Sequence, residues 1–360
     1  MTLSPRLPLL DNALVRPESY QSVPRPDGRI WLDKNENLDP ELLSLTTSLL
    51  RNLDPMTLAS YPEFASLYSK LATWVGVSPD SLMLTAGSDG VIRLAFEVFI
   101  NEGDRVVHTV PTFAMYPVYC QMFGAQAHTL GYERGINGPE LSVERIIAEL
   151  QRVRPKLFCL PNPDSPTGTV LTQSELREVI DLCGSIGSAV LIDEAYHPFY
   201  AESCTRWTQE CPQLIVARTF SKAWGLAGLR IGYVVGHPDT IALFNKIRPM
   251  YEIGTLSATL VSKMLDHVEA MDASVARLLF GKSHFVKQMN ELGFSTIPTH
   301  GNFQHVAFGD KSEKIHAALE DIVLYRKDFK DDCLRGYSRF SMTTVEGFQP
   351  IISAIRSAII

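Results

Sequence analysis

From about residue 63 to residue 235 the chain alternates two kinds of apolar pattern, and that alternation limits its fold more than any other feature. Phe64, Leu67, Tyr68, Leu71 and Trp74 recur at the spacing that lines up one face of a helix. Leu82–Thr85 follows as a short apolar run, suited to a buried strand. A second helical stripe, Val91, Ile92, Ala95, Phe96 and Phe99, leads into a strand at Arg105–Val110. The alternation continues with a helix at 141–150 and a strand at 156–160. A further helix opens on the capping pair Thr172 and Glu175 and is predicted to end near Gly184. Residues 189–192, 214–217 and 231–235 are three more apolar runs. Strands buried on both faces and separated by helices predict an α/β architecture, a mostly parallel sheet flanked by helices.

Beyond Pro249 the texture changes. A long helical region at 255–292 precedes a strand at 303–308, short strands near 322–326 and 339–342, and a last helix at about 344–359. This predicts a second, smaller α+β domain. Residues 1–30 carry proline and arginine without periodicity, so they read as an extended arm. An arm without a core of its own must pack on something, here the small domain. The expected division is an arm at 1–30, a large domain at 31–250 and a small domain at 251–360, which suits 360 residues.

Apolar content of 45% and charged content of 20% are those of a water-soluble globular protein. The net charge of −7 gives no electrostatic reason to expect nucleic acid or a membrane surface as partner. Cys120, Cys159, Cys183, Cys204, Cys211 and Cys333 are scattered without metal-ligand spacing, which predicts reduced thiols, with no disulfide frame and no metal. Residues 1–10 contain no sustained apolar run, so the expected location is the cytoplasm.

Four segments fall where predicted strands give way to loops, the place where open α/β sheets bind ligands. Gly87-Ser88-Asp89 opens a helix after a strand and suits either a phosphate cradle or a plain helix cap. The prolines of 161–168 make a rigid loop, either a simple tight turn or the wall of a site. Asp193 ends an otherwise apolar strand as a helix cap or as the partner of a cationic group, and Glu194, Ala195 and Tyr196 follow it. Thr219, Ser221, Lys222 and Arg230 combine an amine nucleophile with two hydroxyls and a guanidinium. A lysine that condenses with a phosphorylated aldehyde needs such neighbours.

Taken in order, Gly87-Ser88-Asp89, Pro111-Thr112-Phe113, Pro166-Thr167-Gly168, Asp193 to Tyr196 and Ser221-Lys222 with Arg230 resemble the class I/II aminotransferases of fold type I, the aspartate aminotransferase-like fold. Within them the chain is most similar to the histidinol-phosphate aminotransferase family. That likeness rests on the runs 19–22, 31–37, 111–117 and 325–328, on Tyr61-Pro62, and on Arg339-Phe340-Ser341. The resemblance implies pyridoxal 5′-phosphate as cofactor, bonded by Lys222, which also moves the substrate proton. It pairs Asp193 with the pyridine nitrogen, sets Tyr196 at the phenolic oxygen and stacks Phe113 on the ring. Gly87, Ser88, Asp89, Thr219, Ser221 and Arg230 would surround the phosphate. Tyr61 would reach that phosphate from a second subunit, making a homodimer with shared sites in which the arm also packs on the partner. Arg339 would grip the substrate's anionic end, with Arg335 as the rival candidate, and Tyr20, Asn37 and Arg326 would help form the substrate pocket. The implied reaction moves an amino group between a small amino-phosphate or amino acid and a 2-oxo acid, first L-histidinol phosphate and 2-oxoglutarate.

Two positions depart from the family pattern. Ser165 stands where the family places an asparagine that donates to the cofactor's phenolic oxygen, leaving Tyr196 as the main donor or a water between them. Glu252 stands in a normally polar, uncharged turn, either lining the pocket or as a solvated acid. These departures keep open a threonine-phosphate decarboxylase-like activity, or an aminotransferase for an amino-alcohol phosphate or amino sugar. A non-catalytic ligand sensor is the alternative of another class.

Overall fold

The computed structural model describes residues 6, 9, 24–327 and 329–360. Its strands are β1 (Ile30–Trp31), β2 (Leu82–Thr85), β3 (Arg105–Val110), β4 (Gln126–Gly131), β5 (Glu133–Gly135), β6 (Gly138–Glu140), β7 (Leu157–Pro161), β8 (Ala189–Asp193), β9 (Leu214–Thr219), β10 (Gly232–Gly236), β11 (Ser295–Ile297), β12 (Phe303–Ala307), β13 (Val323–Leu324) and β14 (Tyr337–Ser341). Seven of them form the central sheet in the order β2-β10-β9-β8-β7-β3-β4. Its neighbours pair in parallel except β10, which runs antiparallel to both β2 and β9. The predicted α/β sheet is therefore present, with two apolar layers packed against its faces.

Sequence and structure differ where the local signal is weak. Strand β4 carries no apolar run because it is an edge strand, with Leu130 its one buried side chain. The Thr172 helix continues past Gly184 to Ile186 and ends on Gly187 in the left-handed region. Gly184 is not a stop signal; a Cβ there would lie 2.6 Å from the Gln213 amide, so this glycine permits a close approach. The capping box itself forms, with the Thr172 N–H donating to Glu175 at 2.7 Å.

The small domain holds the antiparallel sheet β11-β12-β14 and the parallel pair β1-β13. Its packing divides the chain differently from the 31–250 and 251–360 expected. Ile30–Trp31 pairs with Val323–Leu324, and Leu32 lies in the small-domain core. The helix Thr255–Met264 and the first half of Val268–Glu291 pack with the large-domain core through Val261, Met264, Val275 and Leu278. The second half turns Phe285 and Met289 into the small-domain core. The changeover falls near Gly281, where a Cβ would collide with the Thr343 carbonyl. One continuous helix thus serves both cores, which a change of sequence texture at Pro249 does not reveal.

Candidate active site

Strand register brings the predicted loops to one edge of the sheet. Thr85 faces Gly232, Gly232 faces Thr219, Ala217 faces Asp193, and Asp193 faces Pro161. A cleft of about 640 Å³ opens at this edge, between these strand ends and the small domain. Lys222, Asp193, Tyr196, Ser88, Asp89, Phe113, Ser165, Thr219, Ser221, Arg230, Arg326 and Arg339 all line it.

Lys222 follows β9, and its Nζ donates to the Lys34 carbonyl at 2.8 Å, 6.0 Å from the centre of the Tyr196 ring. Burial, and then the neighbouring Arg339 and Arg230 cations, lower its pKa to about 8, although Glu36 and Asp193 oppose them. Much of this amine is therefore neutral at mildly alkaline pH, the form that attacks an aldehyde or takes a proton. Asp193 accepts from the Ala195 N–H at 3.0 Å and from the Tyr116 hydroxyl at 3.2 Å. Burial pushes its carboxyl up to about 7 against those two neutral donors. A cationic group beside it would restore the carboxylate.

Gly87 opens the helix Gly87–Phe99 at φ +77, and a Cβ there would lie 3.0 Å from Nη2 of Arg230. Only glycine lets the guanidinium approach the helix end so closely. The Thr219 hydroxyl donates to Ser221 at 2.9 Å, and Arg230 donates to the same Ser221 oxygen at 3.3 Å and to the Ala227 carbonyl at 3.1 Å. Those acceptors are uncharged, so the guanidinium keeps its charge for an anion. Phe113 exposes part of its ring to the cleft and meets Tyr116 edge-on at 6.3 Å.

The small-domain side contributes Arg339, buried in β14. Its Nη2 donates to the Asp33 carbonyl at 3.0 Å, while its buried Nε has no partner. Arg326 bridges to Arg339 across the strands, so two guanidinium groups share this wall. Burial lowers the Arg339 pKa from its ordinary value, and the neighbouring Arg326 adds to the effect.

Not every predicted residue comes to the cleft. Tyr20 lies outside the described residues. Asn37 is buried elsewhere, donating to the Ala223 carbonyl at 2.8 Å and to Ser274 at 2.9 Å, so it braces the lysine loop and does not line the substrate pocket. Arg335 is exposed and pairs with Asp332 at 2.6 Å, which removes it as a rival to Arg339. Tyr61 is 74% exposed, stacks on Tyr251 at 4.3 Å and does not line its own chain's cleft. Glu252 is neither in the pocket nor freely solvated. It sits in a separate cavity of about 420 Å³ and accepts a hydrogen bond from the Ala86 backbone, just before the Gly87 turn.

Two site residues escaped the sequence reading. Tyr116 donates to Asp193, and Asn35 donates to the Tyr196 hydroxyl at 2.9 Å. Both stood inside runs singled out above, 111–117 and 31–37, but nothing local tells which residue of such a run faces the site.

Residues 27–355 match the family described as aminotransferase class I and II. The chain belongs to that family. This aminotransferase is 30% identical over 339 residues to histidinol-phosphate aminotransferase of Thermoanaerobacter sp. (strain X514), covering 92% of this chain and 93% of that one. It is 32% identical over 308 residues to histidinol-phosphate aminotransferase 1 of Burkholderia lata, covering 84% and 85%. Among solved structures, histidinol-phosphate aminotransferase from Sinorhizobium meliloti in complex with pyridoxal-5′-phosphate superposes with a TM-score of 0.78 at 21% identity, over 92% and 90% of the chains. L-Threonine-O-3-phosphate decarboxylase from Porphyromonas gingivalis gives 0.75 at 19% identity, over 92% and 99%. Those two likenesses establish the fold.

The aminotransferase's cofactor is pyridoxal 5′-phosphate, and the cleft fits it. The glycine-pinned helix end with Ser221, Thr219 and Arg230 suits a phosphate, and the buried carboxyl of Asp193 suits a ring cation. Behind Asp193, Glu194 takes bonds from Arg218 at 2.8 and 3.0 Å, from Ser203 at 2.8 Å and from the Cys204 N–H at 2.8 Å. This buried ion pair braces the end of β8 from the side away from the cleft.

Proposed function

We propose that the aminotransferase transfers the amino group of L-histidinol phosphate to 2-oxoglutarate. The observation that carries the donor is the pair of arginines on one wall, buried Arg339 with an unpartnered Nε and exposed Arg326 bridged to it through the backbone. Planar guanidinium groups bind phosphate and carboxylate in a two-pronged manner, so the wall suits a phosphorylated donor and the carboxylate of an oxo acid in turn. The names of the curated relatives add the histidinol moiety.

Lys222 would hold pyridoxal phosphate through Nζ, with Asp193 at its ring nitrogen, Tyr196 at its phenolic oxygen and Phe113 against its ring. Gly87, Ser88, Asp89, Thr219, Ser221 and Arg230 would hold its phosphate. When bound, the cofactor supplies an aldehyde that captures amines and a cationic ring that draws electrons from the neighbouring carbon. In this reading the Lys222 amine, neutral in part because burial lowers its pKa to about 8, takes the proton from the substrate's amine-bearing carbon. Arg339 and Arg326 hold the substrate's anionic end so that this proton faces Nζ. Tyr116 and the Ala195 N–H keep the Asp193 carboxyl aimed into the cleft.

The same proposal includes a homodimer in the cytoplasm. Met56, Leu58, Tyr61 and Met250 are all at least 61% exposed, and together with Tyr251 they offer an apolar surface for a second copy. From there Tyr61 would serve the other subunit's phosphate site. Six free, buried cysteines suit a reducing compartment, and among the described residues no helix is long and apolar enough to cross a membrane.

A donor panel with 2-oxoglutarate tests the reading. Histidinol phosphate should give the highest kcat/KM among histidinol phosphate, threonine phosphate, serinol phosphate, an amino sugar and common amino acids. Carbon dioxide release from threonine phosphate would instead mark a decarboxylase, and spectral change without turnover would mark a sensor. Mixing Tyr61→Ala with Lys222→Ala protein should restore activity through hybrid dimers that hold one intact site. Subunit exchange without recovery would place both residues in one subunit's site.

A further inference from the structure

We propose that Asn35 is a positioning residue that fixes the direction in which the Tyr196 phenol donates its proton, taking over from the amide donor that position 165 lacks. This rests on the reading of Tyr196 as the contact to the cofactor's phenolic oxygen. Asn35 is 3% exposed and lines the cleft. Its backbone lies in the left-handed region at φ 56, a conformation asparagine tolerates better than most residues. Each of its polar groups has a partner. Its N–H donates to the Ser341 hydroxyl at 2.8 Å, and its carbonyl accepts from the Asn302 amide at 2.8 Å. Its Oδ1 accepts from the Ser341 hydroxyl at 3.2 Å, and its Nδ2 donates to the Tyr196 oxygen at 2.9 Å.

The amide is oriented by both of its neighbours. The Ser341 hydroxyl accepts from the Asn35 N–H and gives its own proton to Oδ1, and Nδ2 faces the Tyr196 oxygen. With a lone pair of the phenol oxygen engaged by Asn35, its one proton is left to point elsewhere, into the cleft. The bond also makes the phenol a better donor, because Asn35 and Ser165 each lower its pKa against the effect of burial. The other charged groups facing Tyr196 are Arg339, Asp193 and Lys222, and the uncharged Phe303 ring packs edge-on at 5.6 Å. Ser165 offers its single hydroxyl to the phenol, where an amide would bring two N–H donors and a longer reach.

The test uses the cofactor-loaded enzyme and reads the pH midpoint of its visible absorbance band, which a strut of purely structural value would not move. Losing the Asn35 donor should raise that midpoint by about one unit, a tenfold change in proton affinity. Asn35→Asp, which presents acceptors to the phenol, should raise it at least as far as Asn35→Ala. Ser165→Asn should bring the midpoint of Asn35→Ala back toward the native value. In Tyr196→Phe protein, Asn35→Asp should add no further shift. Unchanged midpoints in both Asn35 variants, with only a lower melting temperature, would overturn the proposal and leave Asn35 a brace between Ser341 and Asn302. If Asn35→Ala fails to fold, the near-isosteric Asn35→Asp decides alone. Failure of the underlying reading looks different: Tyr196→Phe would leave the midpoint in place, or Lys222→Ala would keep the native band.

Discussion

On the large-domain wall of the cleft the carboxylates are held largely by other side chains, whereas Arg339 on the small-domain wall is held by a backbone carbonyl. Glu194 and Arg218 form a buried ion pair behind Asp193. Nearby, Asp164 accepts from the hydroxyls of Thr109, Tyr132 and Thr112 at 2.7, 2.9 and 3.1 Å, which fixes the proline-rich loop. Across the cleft Arg339 rests on the Asp33 carbonyl, and Lys222 reaches over to that of Lys34. A carbonyl is a weaker partner for a cation than a carboxylate or phosphate. The carboxylates of the large-domain wall are thus organised before any ligand arrives, while Arg339 opposite is bonded to a group that an anion can displace. Specificity is therefore expected to depend on the small-domain wall and chemistry on the large-domain wall.

The largest test of that division is Lys222→Ala, which should cost roughly 10⁴-fold or more in turnover by removing both nucleophile and base. The variant should also lose the visible cofactor band. Activity near the native level would break the comparison at once. Next is Asp193→Asn, for which about 10²- to 10³-fold is expected on kcat, in the range of a lost preorganised charge. Cofactor affinity should fall far less, because Arg230, Ser221 and the helix end remain. Arg339→Lys should act on the other wall alone. Losing one charged hydrogen bond of about 1.5–3 kcal/mol should raise the KM of donor and oxo acid together, roughly ten- to hundredfold, with cofactor binding nearly unchanged. A fall in kcat without a change in either KM would place Arg339 with the chemistry and erase the distinction.

The same contrast explains what could be read in advance. Asp193 ends an apolar strand, Lys222 follows one and Arg230 precedes another, and each lies in a run where residue type, spacing and neighbours agree. Such local agreement survives folding because strand register carries it unchanged to the sheet edge. Asn35 is different, since it meets Tyr196 and Ser341 only after the chain has folded through both domains. Its neighbour Asn37 has the same chemistry two positions on, yet it points to Ala223 and Ser274. Which of the two asparagines faces the cleft depends on the left-handed backbone at Asn35, and composition does not encode that choice. The domain boundary was hidden for a related reason: one helix packs first on one core and then on the other.

The smallest expected effect tests whether the phosphate end of the large-domain wall is as self-contained as the Asp193 end. Glu252 comes from the segment after Pro249 and accepts from the Ala86 N–H, so a residue distant in sequence supports the turn before Gly87. One of its carboxylate oxygens, Oε2, is buried without a partner, and burial raises its pKa despite the Ala86 contact. A carboxylate near a site for an anion is unfavourable, so the group's tendency to hold its proton partly relieves that cost. Glu252→Gln keeps an acceptor for Ala86 and removes the charge. When the native group is ionised, at the higher pH, the variant should bind pyridoxal phosphate about two- to threefold more tightly, a difference of roughly 0.5 kcal/mol. At acidic pH, where the native carboxyl is protonated, the two proteins should bind alike. Equilibrium titration of the apoprotein with cofactor at two pH values measures both arms. Weaker binding by the variant at either pH would mean that the Ala86 contact requires the full carboxylate, and that the phosphate cradle depends on the distant segment for more than shape.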